Sequence, residues 1–230
     1  MLMPVVQGGA TSTINISILT NTAETNILTL AQAAGYNAAI DDSPIVVTIA
    51  AGVTVSGSST YALRTGALHA NSDLTINIQG SVDGFTGAVG QSIGAAGSPG
   101  GDAVFFETAT GGIGIYTINV ASGANLRSGG GGGGAGGSAG IAGTYRPPEG
   151  EEPGYCTTPN HTGINGANGT SSVGQAGTAG ANGTYGSGSV NCIVTAIGAG
   201  GAGGAAGFAV RKNSRTVTVN NSGTVAGTIG

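Results

Sequence analysis

The side chains that could do chemistry are few and far apart in this sequence. His69 and His161 are the two histidines of the 230 residues, and neither has a carboxylate or nucleophile at the spacing of a general acid–base motif. Asp41–Asp42 could suggest a metal or acid pair, but the following Ser-Pro favours a turn. Cys156 and Cys192 match no zinc spacing. We therefore expect no enzymatic activity, no metal site and no cofactor.

One motif imitates a cofactor site. The segment Gly198–Gly203 reads G-x-G-x-x-G after an apolar run, as a dinucleotide-binding turn would. Such a fold also needs a helix next and an acidic residue about 20 positions later. The last acidic residue of the chain is Glu152, so the match follows from the abundance of glycine.

The composition excludes several other classes. Glycine supplies 48 of 230 residues, while charged residues supply 7%, far below the usual proportion of about 25%. A net charge of −4 with six basic residues argues against nucleic-acid binding. The longest apolar stretch, Ile45 to Val55, is too short to span a bilayer, so no membrane insertion is expected. Many β-branched residues and few charges argue against intrinsic disorder.

A β-like phrase occurs four times, each time as a short alternating strand, a Gly/Ser/Asn turn and a second short strand. Because isolated pairs bury too little surface, we expect them to stack into a shared sheet or β-helix-like block. The phrases are Val47–Gly57, Thr75–Gly84, Thr117–Leu126 and Thr216–Gly227.

One short α-helix is predicted near residues 22–34. Asn21-Thr-Ala-Glu24 reads as a capping box, and Gly35 as the terminator. The helical face would carry Ile27, Leu30, Ala31 and Ala34. Strands are predicted on either side of it, at Thr13–Leu19 and Ile45–Ile49.

A second repeat has a period of three. That period fits neither an α-helix nor a strand, but it fits a polyproline-II-like helix with three residues per turn and glycine along one edge. Backbones can then approach closely and bond to one another, so we expect about six polyglycine-II helices packed as a bundle. Flexible linkers are the alternative. The glycines fall at 84, 87, 90; 94, 97, 100; 131, 134, 137, 140, 143; 163, 166, 169; 174, 177, 180, 183, 186; and 198, 201, 204, 207.

These patterns together predict a mostly β and irregular fold in three parts. Residues 1–83 would form a β-rich attachment base, and residues 208–230 a C-terminal β segment that returns to it. Residues 84–207 would form the bundle, with distal loops at 144–162 and 187–197 and a β insertion at 103–126 that packs on the base.

The two distal loops are the candidate binding site. The first concentrates three of the ten acidic residues and four of the seven prolines, and tyrosine gives rigid contact area at low entropic cost. A solvated linker is the alternative reading of that loop. A disulfide between Cys156 and Cys192 would join the loops, and free thiols are equally compatible. The candidate binding residues are Tyr145, Arg146, Glu149, Glu151, Glu152, Tyr155, His161 and Tyr185.

The order of these features resembles the glycine-rich receptor-binding proteins of bacteriophage tail tips and tail fibres. The resemblance rests on six segments across nearly the whole chain: Ala10–Ser17, Ala31–Tyr36, Val46–Val55, Ala62–Gly66, Asp73–Ile78 and Gly129–Gly134. It implies a polyglycine-II sandwich whose distal loops contact an outer-membrane protein or surface glycan of the bacterial host. It also implies an N-terminal part that attaches to other tail or fibre proteins at the distal tip of the virion, as a homotrimer or as a monomeric cap on a trimeric fibre. An ice-binding protein and a bacterial surface protein are the alternatives.

Overall fold

The chain divides into two compact units that alternate along the sequence. Unit 1 comprises Met1–Phe85, Asp102–Ser128 and Phe208–Gly230, and unit 2 comprises Thr86–Gly101 and Gly129–Gly207. The computed structural model describes residues 12–107, 114–139, 141–146, 155–162, 167, 170, 172–184 and 192–230. Across these residues no helix has the length and apolar character needed to cross a membrane.

Unit 1 is a solenoid of three parallel five-stranded sheets. The first sheet contains β1 (Ile14–Ile18), β4 (Ile45–Ile49), β7 (Leu74–Ile78), β10 (Tyr116–Val120) and β16 (Val217–Asn221). The second contains β2 (Thr22–Ala23), β5 (Thr54–Ser56), β8 (Ser81–Asp83), β11 (Asn125–Arg127) and β17 (Thr224–Ala226). The third contains β3 (Thr25–Asn26), β6 (Tyr61–Arg64), β9 (Asp102–Phe105), β15 (Phe208–Arg211) and β18 (Thr228–Ile229). Each of five successive coils therefore contributes one strand to each sheet.

The core of unit 1 follows from the two-residue period of its strands. In the first sheet Val47 pairs with Ile76, and Ile76 with Ile118, so that aliphatic side chains of equivalent positions stack from coil to coil. All three are fully buried. Burying one such side chain contributes about 1.5–3 kcal/mol, so these stacked columns fix the register of the coils.

The outer face of the first sheet carries an asparagine ladder. The Asn220 amide donates to Asn119, and the Asn119 amide donates to Asn77, each over 2.8 Å. Parallel, in-register strands bring identical amides to this distance, so each asparagine satisfies its neighbour.

Ion pairs join neighbouring coils in the other two sheets. Arg127 binds Asp83 through two side-chain hydrogen bonds of 2.7 and 2.9 Å, which raise the pKa of Arg127 above its ordinary value. Arg211 binds Asp102, whose carboxylate is almost fully buried and also accepts the backbone amide of Phe208. Both arginines are paired across neighbouring strands, which links successive coils.

The predicted helix forms, but it begins later than the capping box indicated. The helix α1 spans Ile27–Ala33, and the side chain of Asn26 caps it by accepting the amide of Leu28. Residues 22–23 and 25–26 are strands, so the proposed capping box at Asn21–Glu24 is wrong. These residues hydrogen-bond to strands of the second coil instead of forming the first turn of the helix. Gly35 does end the helix, with a φ of 97°.

The mostly β class is confirmed, and the four phrases stack as strands of the first two sheets. The strands of the third sheet were not predicted. Two of them, β3 and β18, are only two residues long, and β9 begins with the charged Asp102, so neither length nor alternation marks them in the sequence.

Candidate functional site

The glycine-rich runs of unit 2 lie side by side without forming a helix or strand in the part that the structure describes. We number them run 1 (86–92), run 2 (94–101), run 3 (129–139), run 4 (174–184) and run 5 (196–207). The run predicted at Gly163, Gly166 and Gly169 falls outside the described residues.

Backbone hydrogen bonds join the runs at every third residue. Run 3 donates to run 4 from Gly131, Gly134 and Gly137 to Gln175, Thr178 and Ala181, over 2.8–3.0 Å. Run 4 donates to run 5 from Gly177, Gly180 and Gly183 to Gly204, Gly201 and Gly198. Run 5 donates back to run 3 from Gly198, Gly201 and Gly204, and run 1 donates to run 3 from Gly87 and Gly90. Since run 3 also donates to run 2 from Gly132 and Ala135, it bonds to four other runs.

The number of glycines per triplet follows the number of side-chain directions in which a neighbouring backbone leaves no room for a Cβ. Run 4 has one, because a Cβ at Gly177 or Gly180 would overlap a carbonyl of run 3. Run 5 has two, because Gly203 meets run 4 and Gly204 meets run 2, whereas its third position, as at Ala202, is exposed.

Run 3 has glycine at nearly every position. A Cβ at Gly130, Gly131 or Gly132 would overlap the carbonyl oxygens of Ser172, Gly204 and Ala88, respectively. Residues 131–137 are all buried. Each of the three successive side-chain directions is therefore occupied by another part of unit 2, and run 3 is its central element.

The same unit carries a three-stranded antiparallel sheet. Its strands are β12 (Ile141–Arg146), β13 (Tyr155–Thr162) and β14 (Cys192–Thr195), with β12 in the centre. Much of each region expected to be a distal loop is therefore strand. The sequence alone does not indicate this sheet, because neither segment alternates apolar and polar residues. The strands are defined only by the backbone pairing between the segments. β12 follows directly on run 3, and β14 directly precedes run 5.

This sheet brings several of the predicted binding residues together. Arg146 pairs with Tyr155, and Tyr145 pairs with Cys156, next to the connection between β12 and β13. His161 pairs with Ala142, further along the same two strands. Glu149, Glu151, Glu152 and Tyr185 lie outside the described residues.

The two cysteines lie on the outer strands of the sheet. Cys192 of β14 pairs with Gly143 of β12, while Cys156 of β13 pairs with Tyr145 of β12. A disulfide between them stays a prediction.

Sequence reasoning missed two exposed apolar residues near this sheet. Ile93 is 61% exposed and Ile197 is 39% exposed. The amide of Gly94 bonds to Gly136, and that of Gly198 bonds to Ser138, so both isoleucines lie beside the end of run 3 that leads into β12. For Ile93 the available signal was an isoleucine inside the tight polar turn Gln91–Gly94, where no buried position is expected, whereas Ile197 follows an apolar run and gave no such signal.

Comparison with known proteins supplies a family and a fold. The family described as "Phage tail fibre adhesin Gp38" matches residues 13–230. No curated protein matches the sequence. Among solved structures, a chain in the gp37-gp38 adhesin tip complex of the bacteriophage S16 long tail fiber matches with a TM-score of 0.50 and 18% identity, covering 94% of this chain and 82% of that chain. At that identity the structural match supports the fold alone.

Proposed function

Because this chain belongs to the Gp38 family of phage tail fibre adhesins, we propose that it recognises the host-cell surface through the β12–β14 end of unit 2. The adhesin role expected from the sequence is confirmed by the family, and the ice-binding and bacterial-surface alternatives lose their support. The observation that carries the proposal is the shared sheet: two segments 46 residues apart in sequence, at Arg146 and Cys192, join one β structure.

The glycine runs act as polyglycine-II helices that support this end. Three features favour that assignment: a glycine period of three, hydrogen bonds between runs at the same period, and glycines where a Cβ would overlap a neighbouring carbonyl. Such helices cannot satisfy their own backbone groups, so each depends on its neighbours. The result is a rigid support built with almost no large side chains.

The chemistry of the end suits a recognition surface rather than a catalytic one. The connection from β12 to β13 is acidic and proline-rich, and tyrosines stand at both of its ends, at Tyr145 and Tyr155. Prolines limit the entropy lost on binding, and tyrosines supply contact area with a polar tip. The candidate contact residues are Tyr145, Arg146, Glu149, Glu151, Glu152, Tyr155, His161 and Tyr185, and the receptor is an outer-membrane protein or surface glycan of the host.

The protein occupies the distal tip of the fibre and joins another fibre protein through unit 1. The solved relative is part of a gp37-gp38 tip complex, which favours a fibre partner for this chain as well. Unit 1 suits that role because its parallel coils form a rigid block with uncharged strand edges.

The proposal is tested by replacing Tyr145 and Tyr155 with alanine together and measuring the binding of purified, labelled protein to host cells. We expect at least a tenfold loss of binding with no change in melting temperature, since the two residues flank the connection at one end of the β12–β13 hairpin. The matched control is Gln175→Ala in run 4, an exposed side chain whose loss should leave binding intact.

Competition gives a second measurement. Wild-type protein should block adsorption of the phage to its host, and the double variant should not. If the double variant folds correctly and still binds cells and competes as the wild type does, the β12–β14 end of unit 2 is not the receptor-binding site.

A further inference from the structure

A shallow groove lies on the outer face of the first sheet, beside the asparagine ladder of unit 1. It crosses three successive coils where β7, β10 and β16 end, and its volume is about 290 Å³. That volume is just below the ~300–1,000 Å³ of typical small-ligand sites, so the groove has room for a small molecule or for one unit of a longer chain. We call it the ladder groove. Its polar lining residues are Asn77, Gln79, Asn119, Asn220 and Ser222.

The ladder groove is open because short side chains follow two of the strands. The first residue after each strand of this sheet forms a column across the coils: Ala50, Gln79, Ala121 and Ser222 each donate their backbone amide to the coil before, and Leu19 begins the column. In the last two coils the column holds only Ala121 and Ser222, which leave space beside Gln79 and the ladder. Leu19 shows that the same position accepts a leucine in the first coil.

Several polar groups of the groove have no partner within the described part of the chain. Each ladder amide donates to the asparagine of the preceding coil, so the amide of Asn77 at one end has no acceptor and the carbonyl of Asn220 at the other end has no donor. The side chains of Gln79 and Ser222 are exposed and bond to none of the described residues. The ladder fixes its own amide planes, so the groove offers donors and acceptors in set directions.

The face around the groove carries no charge in the strands that the structure describes. Ligands with phosphate or carboxylate groups are normally held by arginine or lysine, so this lining favours a neutral ligand. A sugar hydroxyl both donates and accepts, so a neutral sugar can use the amides, the carbonyl and the hydroxyl of the groove together. The outward columns of the sheet are Asn15, Val46, Thr75, Thr117 and Thr218, and Ser17, Thr48, Asn77, Asn119 and Asn220.

We propose that the ladder groove binds a neutral sugar unit of the glycans on the host-cell surface, as a contact site separate from the β12–β14 end of unit 2. The inference takes the host surface from the proposed function and adds a site in the other unit. The described lining includes no aromatic residue, and the groove is shallow, so each contact is weak, with a dissociation constant in the millimolar range. Such a contact holds the fibre near the cell reversibly while the end of unit 2 finds its receptor.

Nuclear magnetic resonance titration of isotope-labelled full-length protein tests the site. The probes are D-glucose, D-galactose, N-acetyl-D-glucosamine and the dephosphorylated oligosaccharide released from the lipopolysaccharide of the host by mild acid. We expect the side-chain amide signals of Asn77, Gln79 and Asn119 to shift. We also expect the oligosaccharide to act at a lower concentration than the free sugars, because it is the form that the cell surface displays.

Two variants in the same column give a matched comparison. Ala121→Leu fills the ladder groove with a side chain that the column already carries at Leu19, whereas Ala50→Leu adds the same atoms outside the groove. We expect at least tenfold weaker sugar binding by Ala121→Leu and binding within twofold of wild type by Ala50→Leu. Circular dichroism melting establishes that both are folded. Should Ala121→Leu fail to fold, Gln79→Ala replaces it, with Gln32→Ala, an exposed glutamine of α1, as its control.

Each other outcome would overturn the assignment. Absence of these shifts with all four probes, or wild-type sugar binding by folded Ala121→Leu, would rule out a saccharide site in the groove. Equal potency of the free sugars and the oligosaccharide would rule out the surface glycan as the source. Shifts with detergent-solubilised outer-membrane proteins of the host and with no sugar would assign the groove to a protein instead. The Tyr145 and Tyr155 double variant should keep the sugar response, so a failure of the host-recognition proposal would appear in cell binding and not in this titration.

Discussion

Replacing Gly134 with alanine tests the packing of the central glycine run directly. A Cβ at this position would overlap the carbonyl oxygen of Gly201 in run 5. The neighbouring backbone is fixed by other hydrogen bonds, so the runs must separate rather than rotate past one another.

The size of the effect follows from the bonds at that level. Three lie beside the overlap: Gly134 to Thr178, Gly201 to Ala135 and Gly180 to Gly201, at 3.0, 2.7 and 2.9 Å. Each contributes about 1 kcal/mol net. Alanine recovers about 0.4–1 kcal/mol by restricting the unfolded chain. We therefore expect the free energy of local opening to fall by about 2 kcal/mol.

Native-state amide hydrogen exchange is the appropriate assay, because it reports opening residue by residue. A loss of about 2 kcal/mol corresponds to roughly 30-fold faster exchange at the amides of Gly131, Gly137 and Gly180. The control is Ala202→Ser, which also adds one heavy atom but at an exposed position of run 5. Exchange of Gly134→Ala at the wild-type rate would refute the close packing of the runs.

Two further predictions concern the solenoid. Asn119→Ala should lower the free energy of unfolding by about 1–2 kcal/mol, because it breaks both steps of the asparagine ladder, whereas Thr117→Ala on the same outer face should cost less than about 0.5 kcal/mol in a denaturant titration. Asp102→Ala should cost about 2–3 kcal/mol, because it leaves the amide of Phe208 without its buried acceptor and removes the charged hydrogen bonds to Arg211, whose own side chain is 37% exposed. Calorimetry would measure the melting temperature of this variant and of the control Asp42→Ala, which removes an exposed aspartate. Equal melting temperatures for the two variants would contradict the assigned role of the buried pair.

The sequence predicts the solenoid well where side chains repeat. Strands such as Leu74–Ile78 and Tyr116–Val120 alternate apolar and polar residues, and this pattern alone places their inner faces. The strands of the third sheet were not predicted, because β3 and β18 are only two residues long and form by pairing with neighbouring coils. Such pairing leaves no pattern in the local sequence. The cap of α1 was misplaced for the same reason.

The glycine runs show a different limit of prediction from sequence: their repeat is visible, but their position in the fold is not. Their period of three was visible, but the tract Gly129–Gly134, which most resembles a flexible linker, is the first half of run 3, whose residues 129–137 are all buried. Counting glycines in each triplet would have ranked the runs from outer to central, since each side-chain direction that a neighbouring backbone blocks excludes one more Cβ. At the candidate site the concentration of prolines and acidic residues singles out one of the segments that pair in the β12–β14 sheet, and its role in binding a receptor stays a prediction. The sheet between them depends on contacts separated by about fifty residues, which no local pattern reveals.

The triplet arrangement also bears on how such a gene can diversify. In run 4 only one position in three is restricted to glycine, and intervening residues such as Ala176 and Ala179 are exposed. Such positions can change without disturbing the neighbours, whereas Thr178 bonds to Thr170 and Asn182 accepts the amide of Gly200, and a mutation in run 3 is rarely neutral. A phage lineage that adapts to changing hosts can therefore alter the β12–β14 segments and the exposed positions of the outer runs, as long as the glycines of run 3 are retained.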